Sequence, residues 1–483
     1  MQTFGPPLQP GRAWSADLAA LDRWESGRGV GSPTSAAPPE AVVPLLEAWR
    51  RVPDDPGGDG GRRWAAPPLR GLDRYSDVSP YAWSRCVIGS GRGAAPTTVR
   101  PSRGQGDGRE GRTYGRDGRG APPPASPSAS HGYVNASWVP LPPGRLLTAR
   151  HGGRPPPGWP APRAAAQGPL DHTRGDFWSL LWSLPGDGTP DGASDEVVVA
   201  AGGPGRLHAR GGPARVACLA RLVERGRDKC SRYWPRPNEP APMVLPASWG
   251  GAGGVSEGAL VEAASDDDPD PAVDEAGAAD DADDAPAALP EAAPRQRRLR
   301  VRWSRPGAEP SAPVAVRHVH LLSWPDHGMP GSADAALAVL DAALDRGPAA
   351  AARAAVFTRG AEAQGAEAGP ASTRAEGVTI VHCSAGIGRT GAVLTAETCL
   401  CRADALAADH VAGRADAAAD LAAGAAEAAD LGSIVAALRD CRAGMVQGRG
   451  QFFYAALVAA EGLRLRLAEL DAMLLEGGLA GVR

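Results

Sequence analysis

The amino-acid sequence is poor in lysine, in asparagine and in long apolar runs. Its 483 residues include one lysine, Lys229, and no window of about 18 apolar residues that could form a transmembrane helix. The net charge of −4 excludes both a strongly basic nucleic-acid binder and a polyanionic solvating protein. Because the N-terminus has no basic start followed by an apolar stretch, we expect a cytoplasmic protein without a membrane span.

Cysteine is also scarce, and its spacing gives no sign of a metal site. The seven cysteines include no C-x-x-C pair of the kind that binds zinc. The one close pair, Cys399 and Cys401, falls in a helical pattern without a second ligand pair, which favours core cysteines. We therefore expect a reducing compartment and neither a metal nor another cofactor.

Glycine and proline are abundant instead. The 63 glycines and 48 prolines amount to about twice the usual share, so much of the chain should be loop. The apolar fraction of 43% suffices for one sizeable core, although much of it is alanine. We expect a partly disordered lead-in over 1–70, one domain over 71–475 and a tail over 476–483. Insertions are expected at about 90–130, 250–294, 347–376 and 403–429.

Two of these insertions have a distinctive composition. The 250–294 insertion holds the run SDDDPDPAVDEAGAADDADD, which cannot bury a core, so we expect disorder there. The basic run RQRRLRVRWSR follows it directly and should pair with it only loosely. The Arg-Gly pairs of the 90–130 insertion lack interleaved aromatic residues, so no nucleic-acid partner is expected.

Hydrophobic periodicity predicts alternating strands and helices. Strands are predicted at 81–88, 133–139, 196–200, 215–222, 314–322 and 377–381. Helices are predicted at 40–51, 174–184, 333–344, 389–405, 431–443 and 451–473.

The segment VTIVHCSAGIGRTGAVLT predicts a strand, a glycine-containing loop and a helix. Backbone N–H groups between Ser384 and Arg389 can converge on one phosphate, and the helix N-terminus adds its positive dipole end. Cys383 lies at the bottom of this cradle, which favours its thiolate, the species that attacks phosphorus. Gly386 and Gly388 permit the tight loop.

The residues after the loop suit the same chemistry. Arg389 offers a planar fork to two phosphoryl oxygens, and Thr390 can donate a hydrogen bond to the sulfur as the phosphate leaves. A buried structural cysteine explains most lone cysteines, but it does not explain this set of His, Gly, Arg and Thr in one register. We therefore predict a phosphate-binding loop formed by Ser384, Ala385, Gly386, Ile387 and Gly388.

The stretch HCSAGIGRTG, from His382 to Gly391, resembles the signature H-C-x-x-G-x-x-R-[S/T]-G of the cysteine-based protein tyrosine phosphatases. Further segments, in the expected order, resemble the tyrosine-specific catalytic domain, and the resemblance covers roughly 71–465. They are DRYSDVSPYAWSRCVI, YVNAS, AQGPL with DFW, DKCSRYWP, WPDHG and MVQGRGQF.

This resemblance implies both a fold and an activity. The fold would be α/β, with one catalytic domain, a central twisted mixed sheet flanked by helices, and a strand–phosphate loop–helix active site. The activity would be hydrolysis of phosphotyrosine in proteins through a phosphocysteine on Cys383, without a metal. Tyr75 would flank the phosphotyrosine ring, and Asp77 would hold backbone N–H groups of the substrate. His382 would support the loop.

The resemblance also assigns the remaining roles. Trp324 and Asp326 would belong to a mobile loop, in which Asp326 protonates the leaving oxygen and then deprotonates the attacking water. Gln447 would position that water with help from Gln451. In supporting roles, Lys229 would steady the Asp326 loop and Glu224 would steady Arg389.

Departures from the family pattern leave alternatives open. His327 stands where a bulky residue such as Phe is usual, Asp73 replaces a common Asn, and QGRGQ lacks an acidic residue between its glutamines. A phosphotyrosine-binding pseudophosphatase is one alternative, but such proteins typically lose Cys383, Arg389 or Asp326. A dual-specificity or lipid phosphatase is another, although Tyr75 favours a deep pocket.

Overall fold

The computed structural model describes thirteen stretches of the chain. They are residues 43–52, 72–81, 84–89, 131–182, 214–236, 242–246, 260–265, 294–304, 309–324, 328–330, 332–344, 377–415 and 418–476. The expected insertions at 90–130 and 347–376 and the strand predicted at 196–200 lie outside the described residues. So does the expected tail at 476–483, except for Glu476.

Eleven strands occur in the described residues. In chain order they are β1 Arg85–Gly89, β2 His131–Val139, β3 Arg163–Ala166, β4 Ala214–Cys218, β5 Val223–Glu224, β6 Arg227–Asp228, β7 Met243–Pro246, β8 Leu260–Ser265, β9 Arg295–Ser304, β10 Val314–His320 and β11 Thr379–His382. Nine of them form one mixed sheet in the order β1-β2-β3-β11-β4-β10-β9-β8-β7, while β5 and β6 form a separate hairpin.

The centre of the sheet is parallel and its margins are antiparallel. Strands β3, β11, β4 and β10 run parallel to one another. The outer strands pair antiparallel on both sides. Strand β11 is fully buried because its TIVH sequence is covered on both faces, as is usual for a central parallel strand. Its carboxyl end leads directly into Cys383, at the edge where open α/β sheets bind ligands.

Helices cover both faces of the sheet. Within the described ranges they are α1 Val43–Arg51, α2 Arg145–Arg150, α3 Arg174–Ser179, α4 Asp334–Leu344, α5 Gly388–Val411, α6 Ala418–Ala428, α7 Leu431–Cys441 and α8 Arg449–Glu476. One core layer joins α4, α5, α7 and α8 to the sheet, and the other contains α3 with its buried Phe177 and Trp178. The mixed α/β architecture flanked by helices confirms the expected fold class.

One sequence prediction is wrong. The 250–294 insertion was expected to be disordered, but Leu260–Ser265 forms β8, which pairs with both β7 and β9. The local sequence LVEAAS is mostly apolar and lies just before the acidic run, and Ala263 is buried in the sheet. The basic run that follows is likewise a strand, β9, whose alternate residues Leu299, Val301 and Trp303 are buried.

The expected insertion at 403–429 is helical where it is described. Helix α5 continues to Val411, and α6 follows it. The Glu427 carboxylate of α6 accepts hydrogen bonds from the backbone N–H groups of Arg145 and Leu146 at the start of α2. Among the described helices, no single one is long and apolar enough to cross a membrane. The pair α6 and α7, bent by 49°, meets that criterion by length and composition.

Candidate active site

The loop after β11 wraps around the thiol of Cys383. The side chain is buried, and the backbone N–H of Gly386 donates to its Sγ at 3.3 Å. Gly386 has φ +72°, and a Cβ atom there would lie 2.1 Å from the carbonyl oxygen of Ala166. Helix α5 begins at Gly388, so its positive dipole end adjoins the loop. The sequence therefore forms the predicted strand, loop and helix around the cysteine.

The β5–β6 hairpin places a carboxylate against Arg389. Its turn residues Arg225 and Gly226 both have positive φ, as a two-residue type I′ turn requires. Glu224 Oε1 and Oε2 each accept a hydrogen bond of 2.6 Å from the Arg389 guanidinium, which also donates to the Leu219 carbonyl at 2.9 Å. Both side chains are buried, so the fork has a fixed direction.

A second arginine, which the sequence analysis missed, holds the phosphate loop from behind. Arg442 is fully buried and donates to the carbonyl oxygens of Gly386 and Ala385, at 2.9 Å each. The same side chain donates to Asn135 Oδ1 at 2.7 Å and to Ser137 Oγ at 3.3 Å. Burial lowers its pKa to about 10, so the guanidinium stays charged at neutral pH. Nothing in the local sequence distinguishes it from the other arginines.

The segment with Tyr75 is anchored to the same framework. The hydroxyls of Tyr75 and Ser384 share a hydrogen bond of 2.7 Å, which fixes the ring beside the loop. Asp73 Oδ1 accepts hydrogen bonds from Tyr133 at 2.6 Å and from Asn135 Nδ2 at 2.8 Å. Burial and this hydrogen bond raise the pKa of Tyr133 well above its usual value. The aspartate that replaces the usual asparagine at position 73 therefore serves as a hydrogen-bond acceptor shared by Tyr133 and Asn135.

Arg74 ties this segment to the AQGPL segment. Its backbone N–H donates to Gln167 Oε1 at 2.9 Å, and its guanidinium donates to the carbonyl oxygens of Gly168, Pro169 and Asp228. This residue was also missed by sequence reasoning.

The two glutamines lie over the start of α5. A Cβ atom on Gly388 would be 2.6 Å from Gln447 Oε1 and 2.7 Å from Gln451 Nε2, so both side chains reach this glycine. Gln451 Oε1 also accepts a hydrogen bond of 3.0 Å from the Gln447 backbone N–H. Asp77 and Ile387 line the same open cleft as Gln447.

Asp326 lies outside the described residues, together with Pro325 and His327. The residues on either side of them are described. Trp324 is buried, and its indole Nε1 donates to the Gly328 carbonyl at 3.1 Å. Its ring packs edge-on against Tyr454, with 4.7 Å between the ring centroids. The two ends of the segment that contains Asp326 are therefore tied together.

His382 is held in a buried network. Its Nε2 lies 2.6 Å from the Tyr233 hydroxyl, which is also 3.0 Å from His318 Nε2. Burial lowers the pKa of His318, with a further contribution from Arg297, so that imidazole is neutral.

Two more residues with predicted roles, Lys229 and Thr390, lie in the interior of the protein. Lys229 is buried, and its backbone carbonyl lies close to Gly168. Thr390 is fully buried, and its hydroxyl has no hydrogen-bond partner among the described residues.

Comparisons with known proteins agree with this geometry. Residues 293–461 match the protein-tyrosine phosphatase family model. The chain is 24% identical over 237 residues to tyrosine-protein phosphatase non-receptor type 4 of Mus musculus, which covers 49% of this chain and 16% of that protein. It is 26% identical over 343 residues to receptor-type tyrosine-protein phosphatase H of Homo sapiens, covering 68% of this chain and 17% of that protein.

A third relative is tyrosine-protein phosphatase non-receptor type 18 of Homo sapiens, 24% identical over 239 residues, covering 48% of this chain and 31% of that protein. The chain thus spans less than a third of the length of each of these relatives. A mixed sheet that ends in a cysteine-containing phosphate loop defines a phosphatase-type domain. More narrowly, residues 293–461 match a protein-tyrosine phosphatase domain, and the chain has distant relatives among the tyrosine-protein phosphatases.

Proposed function

We propose that this protein hydrolyses phosphotyrosine in proteins through a phosphocysteine intermediate on Cys383. The observation that carries the proposal is the position of the buried thiol. It lies beneath the N–H of Gly386 at the start of a helix, with Arg389 clamped nearby by Glu224. A phosphate in this loop would meet converging backbone donors and a fixed guanidinium fork.

In the first half-reaction the Cys383 thiolate attacks phosphorus, and the bond from phosphorus to the tyrosine oxygen breaks. Arg389 binds two of the equatorial oxygens on which charge accumulates. Asp326 protonates the departing phenolate oxygen, so tyrosine leaves as a neutral phenol. The match of residues 293–461 to the protein-tyrosine phosphatase family model and the clamped geometry of Arg389 support these roles.

In the second half-reaction water attacks the phosphocysteine. Asp326, now ionised, accepts a proton from this water, and the phosphorus–sulfur bond breaks. The glutamines Gln447 and Gln451 reach Gly388 at the rim of the loop, which supports a role in positioning the water. The Thr390 hydroxyl, which has no hydrogen-bond partner among the described residues, is suited to donate a hydrogen bond to the departing Cys383 sulfur.

The substrate class is supported by the position of Tyr75. Its hydroxyl is fixed to Ser384 at 2.7 Å, so the ring stands as a wall beside the phosphate loop. A wall of this kind suits an aromatic phosphoester, whose ring fills the space that a phosphoserine would leave empty. Asp77 is exposed on the same segment, where its carboxylate can accept hydrogen bonds from backbone N–H groups of a bound peptide.

The test is hydrolysis of matched phosphotyrosine and phosphoserine peptides by the whole chain, with a chelator present. We expect phosphate release from the phosphotyrosine peptide alone, inhibition by vanadate, and no turnover by Cys383→Ser. Hydrolysis of both peptides at similar kcat/KM would instead assign dual specificity. Tight binding without turnover would assign a phosphotyrosine-binding pseudophosphatase. The proposal includes a cytoplasmic location, which the free thiol state of all seven cysteines supports.

A further inference from the structure

A group of metal-ligand side chains lies next to the phosphate loop, and it includes His382, the residue expected to support that loop. The Sγ atoms of Cys218 and Cys230 and a ring nitrogen of His382 all lie within 4.8 Å of one another. All three side chains are buried, with exposed fractions of 0%, 2% and 0%. Two sulfur ligands and one imidazole are the ligand types that thiophilic cations prefer.

The fold brings these residues together from distant parts of the sequence. Cys218 ends β4, and His382 ends β11 directly beside it in the parallel ladder. Cys230 follows the β5–β6 hairpin, and its backbone N–H donates to Leu222. The cluster therefore rests on sheet register and on a short hairpin, which are rigid supports for a binding site.

The hydrogen bonds of His382 determine its tautomer. Its Nδ1 lies 3.1 Å from the carbonyl oxygen of Cys383, which can only accept, so Nδ1 carries the proton. Nε2 therefore has the free electron pair that a metal requires. A metal-bound histidine usually donates its other N–H to a carbonyl or carboxylate in this way.

That electron pair now accepts the hydroxyl proton of Tyr233 at 2.6 Å. The same hydroxyl lies 3.0 Å from Nε2 of the neutral His318, whose Nδ1 has no partner among the described residues. Tyr233 can therefore donate to His318 instead when a cation occupies Nε2 of His382. Nε2 of His382 can therefore become available to a cation while the Tyr233 hydroxyl keeps a hydrogen-bond partner.

We propose that Cys218, Cys230 and His382 form a binding site for a thiophilic cation with a filled d shell, Zn²⁺ or Cu⁺. Both thiols lose their protons to solvent on binding, and two sulfur–metal bonds and one nitrogen–metal bond form without any change of oxidation state. The Cys218 thiol now donates to the backbone carbonyl of Ala220 at 3.4 Å, and the Cys230 thiol donates to that of Ser231 at 3.3 Å. Both are weak hydrogen bonds to give up.

The site is separate from the phosphate loop. Cys383 Sγ faces the N–H of Gly386 within the loop, and it is not part of the cluster. A cation at the cluster would bind through His382, the residue immediately before Cys383. Its expected effect is to hold the end of β11 in place, which stabilises the fold without entering the proposed reaction.

Metal content measures the site independently of phosphatase activity. The full chain carrying Cys383→Ser, which removes the other reactive thiol, is refolded with Zn²⁺ or with Cu⁺ under reducing conditions, then dialysed against a weak chelator. We expect about one equivalent of one of the two cations to be retained. Cys218→Ala and Cys230→Ala in the same background should each reduce retention at least tenfold. The matched control Cys399→Ala, a buried cysteine on α5 outside the cluster, should retain the metal.

A second measurement covers variants that fold poorly. Co²⁺ refolded into the Cys383→Ser chain should give the intense thiolate charge-transfer absorption of a two-sulfur site. Measured per bound Co²⁺ with the cation in excess, that absorption should fall by about half in either single cysteine variant and persist in Cys399→Ala. Retention below a tenth of an equivalent for both cations, or unchanged absorption in Cys218→Ala, would overturn the proposal. Neither result depends on whether the protein hydrolyses phosphotyrosine.

Discussion

Arg389 and Glu224 are joined by two parallel hydrogen bonds of 2.6 Å, both between buried side chains. This geometry holds the guanidinium in one plane before any phosphate arrives. The carboxylate belongs to the last residue of β5, just before the two-residue hairpin turn, so the direction of the arginine depends on a local backbone feature far away in sequence. Loss of the carboxylate would leave a buried cation whose hydrogen bond to the Leu219 carbonyl does not neutralise its charge.

Glu224→Gln should therefore lower kcat/KM for a phosphotyrosine peptide by about 10²-fold, because the guanidinium loses its fixed position. Breaking a buried ion pair should also lower the free energy of unfolding by about 3 kcal/mol. Steady-state kinetics and urea denaturation measure the two effects. The matched control is Asp228→Asn, an exposed residue of the same hairpin, which should change neither quantity. Full kcat/KM in Glu224→Gln would show that Arg389 is positioned by other contacts.

Asp326→Ala removes the proposed proton donor but no group that binds phosphate. The kcat value should fall by roughly 10²–10⁴, while affinity for a phosphotyrosine peptide is kept or improved. Cys383→Ser should abolish turnover, and Arg389→Ala should weaken both binding and rate. Peptide binding measured by calorimetry, together with single-turnover kinetics, separates the three. An Asp326→Ala variant with unchanged kcat would assign the general acid to another residue.

Gly386→Ala should disrupt the phosphate loop. The added Cβ would lie 2.1 Å from the Ala166 carbonyl oxygen, and φ of +72° is unfavourable for alanine. We expect the free energy of unfolding to fall by more than about 2 kcal/mol, with loss of vanadate binding. Gly448→Ala is the control for stability, since no atom lies within 4 Å of its Cβ position. Equal melting temperatures for the two variants would contradict the close approach of the loop to β3.

Arg442→Met keeps the volume of the side chain but removes every hydrogen bond to the loop carbonyls. Each carbonyl of Ala385 and Gly386 that is left without its donor should cost about 1–3 kcal/mol. Thermal denaturation should show a lower melting temperature, and vanadate should bind more weakly. The exposed Arg145→Met serves as a control for the loss of one positive charge. If Arg442→Met bound vanadate as tightly as the parent chain, the loop would not depend on this arginine.

Two deletions distinguish β8 from the acidic run that follows it. Replacing residues 267–292 by a short Gly-Ser linker should leave the melting temperature nearly unchanged, because that composition contributes little to a core. Deleting 250–294 should destabilise the protein, because it removes β8 from between β7 and β9. Circular dichroism during heating measures both. Equal stability of the two deletions would show that β8 contributes nothing to the sheet.

The sequence predicted the phosphate loop because Cys383, the glycines and Arg389 are close together in one segment. It could not identify Arg442, because an arginine that contacts Gly386 through the fold looks the same as an exposed one in the sequence. The strand β8 was missed for a related reason: its six residues were averaged with the acidic run beside them. The Cys218 and Cys230 pair was invisible to a search for C-x-x-C, since the chain returns to Cys218 only after the β5–β6 hairpin.

The hydrogen bonds of Asn135 connect two parts of the site that lie far apart in the sequence. Its amide nitrogen donates to Asp73, next to the segment that faces the peptide, and its amide oxygen accepts from Arg442, which holds the phosphate loop. One side chain thus contacts the supports of both loops. Substitutions at Asp73 and at Arg442 should be non-additive in a double-mutant cycle. Because the two loops share this support, the rigidity of the phosphate loop should influence which peptide sequences the neighbouring segment binds. A substitution in either loop should therefore change the preference for peptide sequence.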